Sequence, residues 1–217
     1  MEWYFDFISP YAYLQFKRLE ALGLQRELRL TPILFAGVLN HWGQRGPAEI
    51  PPKRVFTYRH VSWLARSLGV PFKMPEGHPF NPLKLLRLAI YGEVHWSLVA
   101  RLFDFVWRDG FIPDNAAAFS RLIAGLELPD AGEGMNRPEV KAALRSNTER
   151  AICRRVRRSN HRHRLASVLG SGCHGHGIAV STRQVRVCRR RSHHRVAAGR
   201  RGSPCALTRP LGTQTGR

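Results

Sequence analysis

The sequence predicts an α/β fold, in which a short strand–helix–strand unit precedes a large helical insertion and a C-terminal part that is mostly irregular. Three observations lead to this prediction. Aromatic residues alternate before residue 9, apolar residues then recur at helical spacing up to Gly23, and a second alternating run covers residues 27–34. From there to about residue 150 the apolar patterns are almost all helical. Beyond residue 150 the apolar residues keep neither the helical spacing of 3.6 nor the strand spacing of 2.

The first strand is predicted from Trp3, Phe5 and Phe7, and it ends at the pair Ser9-Pro10. Ser9 suits a helix N-cap because its hydroxyl can accept a backbone N–H of the first turn. Pro10 suits the first helical position, where its missing N–H would have no partner. The crossover to the second strand is expected to be right-handed, with both strands parallel.

Five further helices are predicted after the second strand. Their expected ranges are 54–68, 83–91, 94–107, 115–126 and a last one that opens at residues 137–138 and continues to 152. Asp114 is the expected cap of the helix at 115–126. Two proline-rich stretches, 44–53 and 70–82, are expected to be polar loops outside the core.

The net charge of +20 is concentrated at the end of the chain. Residues 1–150 contain 19 Lys and Arg against 15 Asp and Glu, whereas residues 151–217 contain 16 Arg and no acidic residue. All 21 aromatic residues precede position 151, and all four cysteines follow it. Folding must offset a loss of backbone entropy of roughly 1–2 kcal/mol per residue by burying apolar surface. Because this tail has few large apolar side chains to bury, we expect it to be disordered.

We expect neither a leader nor a membrane anchor in this sequence. No apolar stretch approaches the roughly 20 residues that cross a bilayer. No basic, apolar and small-residue sequence precedes the first strand. We therefore expect a soluble, cytoplasmic protein.

Ser9 leaves two interpretations open. Most N-cap serines only satisfy a backbone N–H of their helix. Alternatively, a helix N-terminus favours an anion, and the Ser9 hydroxyl can donate a hydrogen bond to a bound thiolate and lower its pKa. No base accompanies Ser9 in its motif, so an attack by the serine itself is the weaker interpretation.

Four segments, in order, carry a resemblance to a known family. They are F-D-F-x-S-P-Y-x-Y-L, W-G-Q-R-G-P-A-E-I-P-P-K-R with a following Y-R-H, H-P-F-N-P-L, and L-L-R-L-A. Together they resemble the 2-hydroxychromene-2-carboxylate isomerases and the related kappa-class glutathione transferases, over about residues 2–152. The resemblance implies a thioredoxin-like fold of the DsbA kind with a helical insertion.

The domain boundaries follow from this resemblance and from the change in composition. We expect the N-terminal thioredoxin-like half at 1–34, the helical insertion at 35–136, a helix that returns to the first half at 137–152, and the arginine-rich tail at 153–217. The resemblance also implies a homodimer.

The implied function is a glutathione-dependent cis–trans isomerisation of 2-hydroxychromene-2-carboxylate-type products of aromatic degradation. A thiolate adds to a conjugated carbon, the former double bond rotates, and the thiolate leaves. Ser9 would face the sulfur of glutathione, in the place of the redox cysteine of thioredoxin-like relatives. Ser9 and Ala12 stand where a C-x-x-C motif would, so a dithiol oxidoreductase is excluded at this position.

Four further residues are assigned by the resemblance. Gln44 replaces the asparagine of the family's G-N-x-x-P loop and is expected to contact glutathione. Lys53 would pair with a carboxylate of glutathione or substrate, or be a solvated lysine. Asn81 would bind substrate or hold its turn. Trp42 would stack on an aromatic substrate, as Trp63 could, although packing in the core is the expectation for Trp63.

The tail departs from the family. After Ile152 it lacks the G-V-P-T-like turn with its cis proline, the hairpin and the closing helix of family members. A GC-rich coding region read in a shifted frame gives such a composition, so we expect a frameshift near codons 150–154 and an impaired enzyme. Cys173, His174, His176 and Cys188 fit no compact zinc ligand set, and we expect no metal.

Other functions remain open. The chain could be a glutathione transferase, or a DsbA-like binding module without isomerase activity. It could also be a basic nucleic-acid-associated protein, whose arginine-rich tail would contact phosphates in a salt-dependent way.

Overall fold

A computed structural model of the chain describes residues 1–158, with side chains as far as Cys153. In chain order the described elements are β1 (Glu2–Phe5), α1 (Pro10–Ala21), β2 (Arg29–Pro32), α2 (Phe35–His41), α3 (Pro51–Ser67), α4 (Leu83–Tyr91), α5 (Trp96–Trp107), α6 (Ala116–Ala124), α7 (Ala131–Gly134) and α8 (Pro138–Arg158). This confirms the predicted α/β class and its strand–helix–strand opening. The predictions of a frameshifted, disordered tail and of no metal at Cys173, His174, His176 and Cys188 concern residues outside the described part of the chain, apart from the first six residues of the tail.

The two strands pair in parallel, with α1 as the crossover between them. Their register joins Glu2 to Arg29, Trp3 to Leu30, Tyr4 to Thr31 and Phe5 to Pro32. Parallel strands end at the same edge of a sheet. Consequently the segment that leads from β1 to Ser9 lies beside the segment that leads from β2 into α2.

The N-terminus of α1 has the predicted geometry. Ser9 is extended, with φ −93° and ψ 113°, and its Oγ accepts the N–H of Ala12 at 3.3 Å. Pro10 is the first helical residue. The apolar side of α1 is buried, including Leu14 and Phe16. A local cap and a buried face therefore fix the start and the orientation of this helix.

The core is built around the ring of Phe103 in α5. This ring is fully buried, and its centroid lies 4.7 Å from that of Phe7, 5.6 Å from that of Phe5 and 5.3 Å from that of Phe16. Tilted aromatic contacts of this kind contribute about 0.5–1.5 kcal/mol each beyond the burial of their area. The alternating aromatic residues of the first strand thus pack directly against the inserted helices.

Several element bounds differ from the predictions. α3 begins at Pro51 instead of residue 54, because prolines at the first two helical positions leave no N–H that needs a helical partner. The cap of α6 is Asn115 and not Asp114, since the Asn115 Oδ1 accepts the N–H of Ala118 at 3.1 Å. α2 was not predicted, and among its residues only Val38 is buried.

The proline-rich stretch at 70–82 forms part of the core, so the prediction that it lies outside the core is wrong. Phe80 is 7% exposed and packs in the main apolar cluster. The carbonyl of Pro71 accepts the hydroxyl of Tyr13 at 2.7 Å, and Lys73 N–H donates to the carbonyl of Trp107. The loop therefore closes one side of the core, and its His78–Pro79 bond is cis.

The last described helix is longer than predicted, because α8 continues to Arg158, six residues beyond the boundary expected at 152. None of the helices in the described part of the chain is both long and apolar enough to cross a membrane.

Candidate active site at the end of strand β1

Ser9 lies half-buried at the edge of the sheet where β1 leads into α1. Its Oγ accepts the Ala12 N–H, and its carbonyl accepts the N–H groups of Ala12 and Tyr13. The first turn of α1 contains no acidic residue, so no side chain there neutralises the positive end of the helix dipole. Among the described residues Ser9 Oγ makes no other hydrogen bond, which leaves its hydroxyl hydrogen available to a ligand.

Asp6 anchors the segment that precedes Ser9. Its carboxyl is buried; Oδ1 accepts the N–H of Ile8 at 3.1 Å and Oδ2 accepts the N–H of Phe35 at 2.8 Å. Its backbone carbonyl also accepts the N–H of Ser9 at 3.2 Å. Burial raises the pKa of Asp6 to about 7, against the opposing effect of these backbone N–H donors. Asp6 therefore ties the end of β1 to the start of α2.

His78 holds the same segment from the loop between α3 and α4. Its Nε2 lies 2.9 Å from the carbonyl oxygen of Ile8, and its Nδ1 lies 2.8 Å from the hydroxyl of Tyr58. Burial lowers the pKa of His78 and favours the neutral ring. Since a carbonyl can only accept, Nε2 of the neutral ring carries the proton. The single hydrogen of the Tyr58 hydroxyl is shared between Nδ1 and the carbonyl oxygen of His78, which also lies 2.8 Å from the hydroxyl.

Trp107 supplies a third anchor from the end of α5. Its indole is fully buried, and its Nε1–H donates to the carbonyl of Phe7 at 2.9 Å. The carbonyls of Phe7 and Ile8 are thus paired with the side chains of Trp107 and His78. Residues 6–9 are therefore held by α2, by α5 and by the loop before α4, which fixes the position of Ser9.

An aromatic column lies on α3 near the start of α1. The His60 ring stacks between Phe56 and Trp63, with ring centroids 5.6 and 5.9 Å away and interplanar angles of 19° and 17°. His60 Nδ1 lies 2.8 Å from the hydroxyl of Tyr11, in the first turn of α1. Trp63 is 57% exposed, so the expectation that it packs in the core is wrong. Its ring stacks on a partly buried histidine at the surface instead.

The remaining predicted site residues are exposed and make no described hydrogen bond to Ser9. Gln44 lies in the turn after α2, where its N–H donates to the carbonyl of Leu39, and Trp42 caps α2 with 44% of its surface exposed. Lys53 lies in the first turn of α3. The Oδ1 of Asn81 accepts the N–H of Leu83 at 3.0 Å, so its carbonyl oxygen holds the start of α4.

Asp6 and His78 are not among the site residues predicted from the sequence. A signal for Asp6 exists, because a lone acidic residue within an aromatic strand must be buried with polar partners. His78 stands in the quoted H-P-F-N-P-L segment, but its partner Ile8 is 70 residues away. No local sequence pattern identifies Phe35 as the partner of Asp6 or Ile8 as the partner of His78.

Comparison with known proteins places the chain in a family. A family model described as a DsbA-like thioredoxin domain matches residues 1–157. The chain therefore belongs to the DsbA-like thioredoxin family, whose fold it has.

Individual relatives agree with the resemblance predicted from the sequence. The chain is 28% identical over 171 residues to glutathione S-transferase kappa 2 of Caenorhabditis elegans, covering 70% of this chain and 75% of that protein. It is 30% identical over 79 residues to glutathione S-transferase kappa 1 of Rattus norvegicus, covering 35% of this chain and 34% of that protein. A solved structure of a 2-hydroxychromene-2-carboxylate isomerase matches with a TM-score of 0.61 at 23% identity, covering 71% of this chain and 79% of that one. The kappa-class relatives support the resemblance described above, and the isomerase structure shows that the chain shares its fold.

Proposed function

We propose that the chain is a glutathione-dependent enzyme in which the Ser9 hydroxyl donates a hydrogen bond to the thiolate of glutathione. The single observation that carries this proposal is the geometry of Ser9. Its oxygen accepts the Ala12 N–H, which leaves the O–H hydrogen for a ligand at the N-terminus of α1. The donor and the helix dipole both favour the charged form of a thiol and lower its pKa. The kappa-class relatives support glutathione as the co-substrate.

The finer proposal is a cis–trans isomerisation of a ring-opened 2-hydroxychromene-2-carboxylate. The thiolate forms a C–S bond to a carbon conjugated with a carbonyl, and the π electron pair moves to the carbonyl oxygen. The former double bond rotates as a single bond. The electron pair then returns and expels the thiolate, so no proton or electron is consumed. In this scheme Ser9 stabilises the thiolate before addition and after elimination.

The remaining residues have supporting roles in the proposal. Lys53 and Gln44 would contact the carboxylates and amides of glutathione from the exposed segment that leads into α3. Trp42 would offer an exposed ring to an aromatic substrate. Asn81 has its carbonyl oxygen engaged by Leu83, so only its amide nitrogen would face a substrate.

Turnover measurements on Ser9 variants test this function. Ser9→Ala removes the hydroxyl and the cap, whereas Ser9→Thr retains both. A hydrogen bond to a charged group contributes about 1.5–3 kcal/mol, so we expect kcat/KM for glutathione-dependent isomerisation to fall roughly tenfold or more in Ser9→Ala and to remain near wild type in Ser9→Thr. Equal activity of the wild type and Ser9→Ala would refute the proposed role.

Glutathione transfer is a second candidate, favoured by the kappa-class relatives. The same stabilised thiolate would add to an electrophile and remain bonded to it. Product analysis distinguishes the two: isomerisation returns free glutathione, and transfer yields a stable conjugate. A binding module would show glutathione affinity with neither product.

We also propose that the sequence after residue 152 weakens the enzyme, because it lacks the family's proline turn. Restoring a G-V-P turn in frame should raise the affinity for glutathione measured by calorimetry, and an unchanged affinity would contradict this. The alternative of a nucleic-acid function rests on the 16 arginines of residues 151–217. It predicts retention of the full chain, but not of residues 1–150, on a DNA column at about 0.15 M salt.

A further inference from the structure

A cavity lies along the outer edge of β2. Its volume is about 370 Å³, within the range of about 300–1,000 Å³ that is usual for ligand sites. It is lined by β2, by the turn between α4 and α5, and by Asn147 of α8. Ser9, Gln44 and Lys53 are not among its lining residues, so it is a different site from the one proposed for glutathione.

The backbone of β2 presents one unused N–H and one unused C=O to this cavity. Arg29 donates its N–H to the carbonyl of Met1, directly before β1, at 2.7 Å. Ile33, directly after β2, donates its N–H to the carbonyl of Phe5 at 2.9 Å. Residues of a strand alternate the direction of their backbone polar groups, so the N–H and C=O of Leu30 point away from β1. In the described part of the chain neither group of Leu30 has a hydrogen-bond partner.

The next outward-facing residue of β2 limits the length of this free edge. Pro32 has no N–H, and its carbonyl accepts the Nδ2–H of Asn147 at 3.1 Å. The edge therefore offers one donor and one acceptor, both from Leu30, which is itself 8% exposed. Such a pair is complementary to the amino group and the carbonyl of one residue in an extended peptide, since these two groups face the same side.

The wall opposite β2 is a strained turn. Glu93 and Val94 both have left-handed backbones, with φ of 59° and 50°. This conformation is an outlier for a β-branched residue, and such strain persists only where the surroundings enforce it. The N–H groups of Glu93 and Val94 donate to the carbonyls of Ile90 and Ala89, which holds the turn against α4.

Two opposite charges line the cavity from its two sides. Arg29 belongs to β2 and Glu93 to the strained turn. Neither side chain takes part in an ion pair among the described residues. The cavity therefore combines a cation and an anion without an ion-pair partner among the described residues with the free N–H and C=O of Leu30.

We propose that this cavity binds a short zwitterionic peptide. The C=O of its first residue accepts the N–H of Leu30, its ammonium group lies between the C=O of Leu30 and the carboxylate of Glu93, and its own carboxylate pairs with Arg29. This binding extends the sheet by one strand at the edge of β2, and it is independent of the proposed role of Ser9.

Titration of the full chain with the dipeptide Ala-Ala tests the proposal. The protein carries ¹⁵N-leucine, and the Leu30 amide signal is assigned by its loss in Leu30→Ile. We expect this signal to shift saturably with Ala-Ala. N-acetyl-Ala-Ala and Ala-Ala-amide should each bind about threefold or more weakly, since each lacks one partly exposed ion pair.

Charge variants show whether the two ends bind where we propose. Glu93→Gln should bind Ala-Ala and N-acetyl-Ala-Ala with equal affinity, because the ammonium group has lost its partner. Arg29→Gln should bind Ala-Ala and Ala-Ala-amide with equal affinity, because the carboxylate has lost its partner. Arg26→Gln is the matched control, because Arg26 is exposed nearby but does not line the cavity. The proposal would be overturned if the Leu30 amide signal did not shift at up to tens of millimolar dipeptide. It would also be overturned if Arg29→Gln and Arg26→Gln lost equal amounts of affinity for Ala-Ala.

Discussion

The His78 ring donates its Nε2–H to the carbonyl of Ile8 at 2.9 Å, across 70 residues of sequence. This bond connects the loop before α4 to the residue that precedes Ser9. The Tyr58 hydroxyl supports it from behind, because it lies 2.8 Å from both the Nδ1 and the carbonyl oxygen of His78. The position of the candidate catalytic serine thus depends on a histidine of the inserted region.

Replacement of His78 tests this dependence. His78→Ala leaves the carbonyl of Ile8 without its donor, and we expect the free energy of unfolding to fall by about 1–3 kcal/mol, as for other unsatisfied buried groups. Tyr58→Phe keeps the bond to Ile8 and should cost less. Urea denaturation of the three proteins gives the comparison.

The protonation of the His78 ring provides a separate check on the same bond. The geometry and the lowered pKa predict a neutral ring with its proton on Nε2 at pH 6.5. The ¹⁵N chemical shifts of the ring report this tautomer directly. A doubly protonated ring, or a proton on Nδ1, would contradict the arrangement described above.

Asp6 should make stability depend on pH in an unusual direction. The pKa of its buried carboxyl is raised to about 7, whereas in the unfolded chain it ionises near its ordinary value of about 3.9. Between these values the folded state binds the extra proton. The contribution of Asp6 to stability is therefore present at low pH and is lost as the pH rises towards 7, by at most about 1.4 kcal/mol per unit.

Asp6→Asn removes this titration. Relative to the variant, the wild type should lose free energy of unfolding between about pH 4 and 7, and the difference should level off above that. Asp114→Asn, at an exposed carboxylate before α6, is the matched control and should keep the wild-type pH dependence. Parallel curves for the wild type and Asp6→Asn across this range would show that Asp6 is ionised throughout.

Two glycines of α7 give a matched pair for core packing. A Cβ on Gly134 would lie 2.2 Å from the ring of Tyr91, whereas a Cβ on Gly132 would meet nothing within 4 Å. Gly134→Ala should therefore destabilise the protein by about 1–3 kcal/mol through overpacking. Gly132→Ala should be neutral or slightly stabilising, since alanine favours a helix. Similar melting temperatures for the two variants would argue against the packing of α7 on Tyr91.

The parts of the fold that the sequence predicted are those with local causes. Ser9 and Pro10 mark a helix start within two residues, and both occupy the predicted positions. α2 has no side-chain cap and only one buried residue, so no local sequence pattern predicts this helix. Phe80 was misjudged because its proline-rich surroundings indicate a loop but do not show that the loop covers the core.

For the candidate site, too, only the features with local causes could be predicted from the sequence. Ser9 was identifiable from its motif, but the groups that fix its position come from distant segments. Asp6 meets Phe35 29 residues away, and Trp107 meets Phe7 100 residues away. Such pairings depend on the tertiary fold, which a reading of local patterns cannot supply.

The pKa of the thiol in enzyme-bound glutathione tests the central claim most directly. Ultraviolet absorbance of the thiolate, followed as a function of pH, measures it in the wild type and in Ser9 variants. Ser9→Gly is the informative replacement, because glycine retains most of the N-cap preference but has no hydroxyl. We predict a bound thiol pKa below that of free glutathione in the wild type and Ser9→Thr, and a clear rise in Ser9→Gly. An identical thiol pKa in all three proteins would contradict the account.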